Sequence, residues 1–164
     1  MTARRKLLEF TAMMSTALST GVFFGTSTSL GPSTRTFSPA TYVEVQQATV
    51  RNLRPVMGVL LPLAVACQAA LLVVSPSDRR SGSFALTVGS FLSQFASLAL
   101  TGSIELPINS TVLTWPPHEP PQGWEQTRDR WHTVHTLRTA TSVVGLGCAM
   151  AAALASSKRA PTPH

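Results

Sequence analysis

The chain has 164 residues and a net charge of +6, with 13 Lys and Arg residues against seven Asp and Glu residues. Such a basic surplus is common in proteins that bind nucleic acid. Here, however, the basic residues flank apolar segments and form no single patch, which argues against that class. Cys67 and Cys148 both lie inside apolar segments, which argues against a disulfide framework. The length is that of one domain over residues 1–164.

Four long stretches contain no charged residue: 10–34, 55–77, 81–104 and 139–157. A helix needs about 20 mostly apolar residues to cross a hydrocarbon core, and a charge at its centre costs about 2.5–3.5 kcal/mol on insertion scales. Uncharged helices of this length are unusual in water. The sequence therefore predicts an all-α integral membrane four-helix bundle, with spans over residues 10–30, 56–74, 84–104 and 139–157.

The first of these spans has a second interpretation. Arg4, Arg5 and Lys6 precede an apolar stretch, which is also the layout of a signal peptide. No small-x-small cleavage site follows, and the uncharged run is longer than the apolar region of a typical signal peptide. We therefore expect a retained span.

The distribution of basic residues predicts the orientation of the chain. Seven of them lie in the short segments before the first span, between the second and third, and after the fourth: Arg4, Arg5, Lys6, Arg79, Arg80, Lys158 and Arg159. Short segments rich in Lys and Arg stay in the cytoplasm. We expect both termini to be cytoplasmic, in the plasma membrane, with the loops at about 31–55 and 105–138 on the other side.

Two amides fall near the middle of their spans, Gln68 in the second and Gln94 in the third. A short connection makes these spans antiparallel neighbours. A hydrogen bond between the two side chains would hold the helices together, and we expect such a bond.

The two long loops are predicted to differ. In the first, Ser38 and Pro39 are typical of a helix start, and Tyr42, Gln46, Thr49 and Leu53 then share one face before Pro55. This pattern predicts a short interfacial helix on the membrane surface. In the second loop, the prolines within residues 115–121 require an extended backbone. Gly123 then allows an extended last helix to begin and to continue into the fourth span.

That last helix carries a stripe of polar and aromatic residues, spaced four, three, four and three apart: Trp124, Arg128, Trp131, His135 and Arg138. At about 100° per residue, all five lie on one face. One interpretation is an interfacial anchor, with tryptophans in the headgroup layer and arginines reaching toward phosphates. An anchor has no use for an imidazole, however, whereas a neutral histidine can act as a base.

A metal site is the competing interpretation of this region. Asp129 and His132 have helical ligand spacing, and Glu125 falls on the same face. One histidine and two acids without a second histidine or a flanking cysteine make an incomplete ligand set for zinc or iron. We therefore expect no metal site.

Residues 105–113 (ELPINSTVL), followed by this stripe and a last apolar helix, resemble the anthrone oxygenase-like family of small four-span membrane proteins. The matching positions are Pro107, Asn109, Leu113, Trp131, His135 and Arg138. Members that oxidise anthrones usually have paired asparagines where this chain has Ile108 and Asn109.

The resemblance implies an oxygenase that needs no metal or organic cofactor, because the substrate itself supplies the electrons. It further implies that His135 acts as the base, that Arg138 holds the oxyanion and that Asn109 binds a carbonyl or phenol. Trp124, Arg128 and Trp131 would contact a small hydrophobic aromatic substrate. Membrane lipid is the other expected partner, and the oligomeric state stays open. The alternative is a non-catalytic four-span protein that binds a lipid or a protein partner.

Overall fold

The computed structural model describes residues 3–74 and 81–157, and these residues are almost entirely helical. In chain order the helices are α1 (Ala3–Gly25), α2 (Gly31–Ser33), α3 (Pro39–Val74), α4 (Gly82–Leu100), α5 (Leu106–Val112) and α6 (Trp124–Ser157). Two π-helical turns, Thr26–Leu30 and Thr101–Glu105, connect α1 to α2 and α4 to α5 without a break. No strand occurs in either described range, and the predicted all-α class is confirmed.

Four helical units are long and apolar enough to cross a membrane: Ala3–Ser33, Pro39–Val74, Gly82–Val112 and Trp124–Ser156. Three of the four predicted spans lie within one of them, and the fourth, 139–157, extends past its unit by one residue. The chain is a membrane protein. At 1.5 Å per residue, a unit of 31 residues is about 46 Å long, whereas the hydrocarbon core is about 30 Å thick. Each helical unit therefore extends well beyond the hydrocarbon core.

The four units run alternately up and down. Arg5 near the start of α1, Leu71 near the end of α3, Ser83 at the start of α4 and Ser156 at the end of α6 line one small depression. The hydroxyl of Ser83 lies 2.7 Å from that of Ser156. Both described ends of the chain therefore lie at the same end of the bundle.

Small polar side chains, more than large apolar ones, hold the helices together. The hydroxyls of Thr20 and Ser142 are 2.7 Å apart and join α1 to α6, and Ser90 donates a 2.8 Å hydrogen bond to the carbonyl of Gly145. Many large apolar residues point outward instead, among them Leu7, Val73 and Leu154. Such a distribution is expected in a membrane, where small residues let helices approach and apolar side chains face lipid.

The predicted bond between Gln68 and Gln94 is absent, and that expectation is wrong. Both side chains are buried, but Gln68 donates to the hydroxyl of Thr16 on α1 (3.4 Å), and Gln94 donates to the carbonyl of Ser142 on α6 (3.2 Å). Each amide therefore turns toward a different helix, where a small hydroxyl residue leaves room for it. The rotation of each helix about its axis decides which neighbour its amide meets, and the sequence does not show that rotation.

The short interfacial helix predicted in the first loop is not a separate element, and this detail is a correction. Pro55 was expected to end it, yet α3 continues through Pro55 and Pro62. Proline removes one backbone donor, and helices in membranes tolerate this loss when neighbouring groups satisfy the freed carbonyl. The polar face seen in the sequence consequently stands directly above the second span.

The second loop matches its prediction only in part, because a turn in which the amide of Glu119 donates a 3.1 Å hydrogen bond to the carbonyl of Pro116 interrupts the expected extended backbone. The backbone between α5 and α6 is not helical, and Gly123 has a φ of 78°, which favours glycine because a Cβ is strained there. The last helix then runs from Trp124 to Ser157 as one element, as expected.

Two glycines on α6 give a test of this packing. A Cβ on Gly145 would lie 2.7 Å from Nε2 of Gln94 and 3.1 Å from Cβ of Ser93, whereas a Cβ on Gly147 would meet nothing within 4 Å. Gly145→Ala should therefore destabilise the protein by about 1–3 kcal/mol through overpacking. Gly147→Ala should be neutral or stabilise by up to about 1 kcal/mol, because alanine favours a helix. Unfolding in mixed detergent micelles measures both, and equal effects would contradict the α4–α6 contact.

Candidate functional site

A buried carboxylate lies where α4 passes into α5. Glu105 ends the π-helical turn Thr101–Glu105, and its side chain is completely buried between the helices. A π-helical turn contains an extra residue, which shifts the faces of the residues that follow it, and such turns are frequent at functional sites. Glu105 was not expected to be a site residue, although it is the first charged residue after a charge-free stretch of 24 residues.

Arg138 of α6 pairs with this carboxylate. Its Nη1 contacts Oε2 of Glu105 and also donates a 3.1 Å hydrogen bond to the hydroxyl of Thr101. The guanidinium carbon stands 4.0 Å from the centre of the Phe23 ring. A buried charge is tolerated when it is paired and hydrogen-bonded, and Arg138 has both a counter-charge in Glu105 and a further acceptor in Thr101.

His135 lies one turn before Arg138 and joins the same cluster. Its Nε2 is 3.1 Å from the carbonyl oxygen of Phe23, which can only accept, so Nε2 carries a proton. Its Nδ1 lies 2.9 Å from Nη2 of Arg138 and 3.0 Å from Oε1 of Glu105. With a neutral imidazole, Nδ1 therefore accepts from Arg138. Neither ring nitrogen is left without a partner.

Aromatic rings fix the orientation of the imidazole. Trp131 stacks on it, with ring centres 4.6 Å apart and planes inclined by 10°, and Phe23 meets it edge-on at 6.1 Å. His135 is 1% exposed, so it faces neither lipid nor water. An interfacial anchor would have placed this residue outside, and the burial argues against that interpretation of the stripe.

A cavity of about 400 Å³ adjoins the cluster. Apolar residues, including Leu61, Pro62 and Leu98, form much of its lining, and Glu105 and Arg138 also lie on its wall. Cavities that hold small molecules have volumes of about 300–1,000 Å³ and combine apolar walls with a few polar groups. The cavity therefore has the size and lining of a small-molecule site.

Asn109, for which the family resemblance implies a hydrogen bond to a carbonyl or phenol, also lines this cavity. Its Oδ1 accepts a 3.4 Å hydrogen bond from Nε2 of Gln46 on α3. Oε1 of Gln46 and Nε1 of Trp131 are buried and have no hydrogen-bond partner among the described residues. Such groups are costly unless a partner arrives, so they are candidates for contact with a bound molecule.

Gln46 and Phe23 are site residues that sequence reasoning missed. Gln46 was placed on the polar face of the first loop, with Thr49 and Leu53, and all three line the cavity. The shared face of these three residues was therefore the sequence pattern that pointed to the cavity, but it was interpreted as a face lying on the membrane surface. Phe23 contributes its ring to Arg138 and its backbone carbonyl to His135, and the carbonyl is a contact that no side-chain pattern can indicate.

The stripe divides into two parts. Trp131, His135 and Arg138 line the cavity, whereas Trp124 and Arg128 do not. Trp124 packs on Tyr42 with ring centres 5.1 Å apart, and the guanidinium of Arg128 lies 5.1 Å above the Trp124 ring. These two residues pack at the end of the bundle that lies away from the two described ends of the chain.

The residues weighed as a metal site lie away from the cavity. His132 packs against Gly31, whose missing side chain makes room for it, since a Cβ there would come within 2.8 Å of the imidazole. Asp129 forms an ion pair with Arg128 at 3.0 Å. Within residues 3–74 and 81–157, no three His, Cys, Asp or Glu residues are grouped so that they could hold a metal ion.

Comparison with known proteins gives a match to a family model. Residues 51–148 match the family model described as anthrone oxygenase, which is more than half of the chain. The chain belongs to the anthrone oxygenase family. No match was found to a curated protein or to a solved structure.

The match to the anthrone oxygenase family includes Glu105, Asn109, His135 and Arg138, but it begins after Phe23 and Gln46. Ile108, where anthrone-oxidising members usually carry another asparagine, packs against Trp131 and Val112 and does not line the cavity. The difference from those members therefore lies behind the cavity wall.

A double-mutant cycle tests the ion pair. Glu105→Gln or Arg138→Gln alone leaves one buried charge without its partner and should lower the free energy of unfolding by about 3–5 kcal/mol. The double variant removes both charges and should lose much less than the sum. Arg128→Gln is the control, because the carboxylate of its partner Asp129 is half exposed and that pair should contribute less than about 1 kcal/mol. Additive losses for Glu105 and Arg138 would contradict the pairing.

Proposed function

We propose that this chain is a cofactor-independent oxygenase that oxidises an anthrone-like or phenolic polycyclic substrate with O2. The observation that supports this proposal most is the cluster of Glu105, His135 and Arg138 on the wall of a cavity inside the bundle. Membership of the anthrone oxygenase family supports the same reaction class.

The reaction needs little from the protein because the substrate is the reductant. Removing a proton from the activated methylene group gives an enolate, whose electrons reduce O2. Addition of O2 gives a hydroperoxide, and loss of water from it leaves a carbonyl group. One oxygen atom ends in the product and the other in water, so the four-electron oxidation of the methylene group balances the reduction of O2. The protein has to supply a base, a partner for the oxyanion and a dry site.

The base in this proposal is His135 acting through Glu105. Glu105 lines the cavity and takes the proton from the substrate, and Oε1 then passes it across 3.0 Å to Nδ1 of His135. The resulting imidazolium already has two acceptors in place, the Glu105 carboxylate at Nδ1 and the Phe23 carbonyl at Nε2. This arrangement combines the expected role of His135 with the carboxylate that sequence reasoning overlooked.

Arg138 is proposed to stabilise the enolate. In the resting site one of its Nη2 protons is donated to Nδ1 of His135. Once that nitrogen carries a proton it no longer accepts, and Nη2 becomes available to the oxygen on which negative charge develops. Oxyanion stabilisation is strongest where water is excluded, and Arg138 is 9% exposed.

Asn109 and Gln46 are proposed to position the substrate. They lie on α5 and α3 at the cavity wall, and the free Oε1 of Gln46 can accept from a phenolic hydroxyl. Trp131 is proposed to hold His135 in place by stacking. Because Trp124 and Arg128 lie outside the cavity, we assign them no contact with substrate.

The charge distribution adds an orientation to this proposal. We propose that the protein lies in the plasma membrane with both termini in the cytoplasm. Because α5 and the start of α6 are at the end of the bundle away from the termini, the cluster of Glu105, His135 and Arg138 then lies toward the non-cytoplasmic side. The site would then lie close to the non-cytoplasmic surface of the membrane.

Turnover by purified variants tests the proposal. Glu105→Gln, His135→Ala and Arg138→Gln should each lower the rate of O2 consumption with 1,8-dihydroxyanthrone by about 10²–10⁴, because each removes a base or an oxyanion donor. His132→Ala, which changes a histidine on the neighbouring face, should keep most of the activity. Spontaneous oxidation without protein is subtracted, and gel filtration in detergent checks folding.

Three outcomes would contradict this proposal. Activity that survives His135→Ala would remove the proposed proton acceptor. Activity that a chelator abolishes and added iron or zinc restores would replace it with a metal-dependent reaction. Failure of the folded wild-type protein to consume O2 with any hydroxylated anthrone would favour a non-catalytic binding protein.

A further inference from the structure

The cavity is not closed on all sides. Six of the residues that line it are also exposed on the surface of the bundle, and they form two rows with helical spacing: Arg54, Gly58 and Pro62 on α3, and Gly102, Leu106 and Ser110 on the third span. Members of each row are four residues apart, so each row runs along one helix face. The two rows mark an opening between the second and third spans that leads to Glu105.

The depth of this opening follows from the charges. Gly58 lies in the charge-free stretch 55–77 and Gly102 in the charge-free stretch 81–104, so both belong to the part of the bundle that faces hydrocarbon. Val56 and Val59, beside Gly58, are 48% and 64% exposed. Arg54 is the last charged residue before the second stretch and marks the outer end of the opening. The opening therefore faces lipid and not the aqueous phase.

The two glycines leave the opening wide. A Cβ added to Gly58 or Gly102 would meet nothing within 4 Å, so neither glycine is needed for a close helix contact. This distinguishes them from Gly31, Gly89 and Gly145, where a Cβ would come within 3.3 Å of a neighbouring side chain. Larger side chains at Gly58 and Gly102 can therefore narrow the opening without disturbing the packing of the bundle.

We infer that the substrate enters the cavity sideways from the lipid bilayer, through the opening between Gly58 and Gly102, and is therefore a lipophilic molecule dissolved in the membrane. This inference rests on the proposed function, because it concerns access to the same site. Passage between the helices brings a planar molecule past Leu106 to Glu105 without crossing the polar loops. A membrane-dissolved polycycle reaches a high local concentration in the bilayer, which suits access from that side.

The experiment measures binding without turnover. The full chain is placed in lipid nanodiscs and mixed with 1,8-dihydroxyanthraquinone, a planar tricycle without the reactive methylene group. Quenching of tryptophan fluorescence reports its arrival, and the component lost in Trp131→Phe identifies the signal from the cavity wall. The rate of quenching gives the association rate.

Variants at the opening decide the outcome. Gly58→Phe and Gly102→Phe should each slow association by at least about tenfold, and Gly58→Leu and Gly102→Leu, which favour the helix, should slow it less. Gly147→Phe is the matched control, since Gly147 is an exposed helical glycine with equal free space that does not line the cavity. Its association rate should equal that of the wild type.

An unchanged association rate in all four opening variants would overturn the inference and require access from the loops. The outcome is separable from that of the proposed function. Binding that depends on Gly58 and Gly102 without any O2 consumption would leave the lateral opening intact and refute the oxygenase. Turnover of 1,8-dihydroxyanthrone that is insensitive to substitution of both glycines would support the oxygenase and refute the lateral opening.

Discussion

The ion pair between Glu105 and Arg138 is the interaction on which the arrangement of this bundle depends. Both side chains are buried among helices that otherwise present apolar faces to lipid, and either charge alone would be costly to bury there. The pair is tolerable because other groups complete its coordination: Thr101 accepts from the guanidinium, His135 accepts from it as well, and the ring of Phe23 faces it. Three of the four helical units are thereby held in a fixed relation.

Several local features follow from the need to bring these groups together. The π-helical turn Thr101–Glu105 supplies both Thr101 and Glu105 to the cluster. Small residues elsewhere, such as Ser90 against Gly145, let α4 and α6 approach closely, so that the third span reaches His135 and Arg138. α3 contacts α5 through the hydrogen bond between Gln46 and Asn109. The cavity lies between this contact and the cluster of Glu105, His135 and Arg138.

The sequence was informative wherever a property depends on one helix alone. Absence of charge located the four spans, and a spacing of three and four residues put Trp131, His135 and Arg138 on one face. Both are local properties of a single segment.

Properties that depend on the contact between two helices could not be predicted from the sequence. The partners of Gln68 and Gln94 are set by how each helix is rotated, and the inward position of Glu105 follows a π-helical turn that no residue pattern announces. Pro55 was expected to end a helix because proline usually does so, but the helix continues. Gln46 was therefore assigned to the membrane surface instead of the site.

The charge state of Glu105 in the resting protein is the most direct test of this account. Seven carboxyl side chains are present in the whole chain, so the infrared difference between the wild type and Glu105→Gln can isolate one of them. If Glu105 is the ionised partner of Arg138, the substitution removes the stretching bands of a carboxylate. Loss of the carbonyl band of a protonated carboxylic acid instead would contradict the account, because Arg138 would then lack its counter-charge and the site would lack a base.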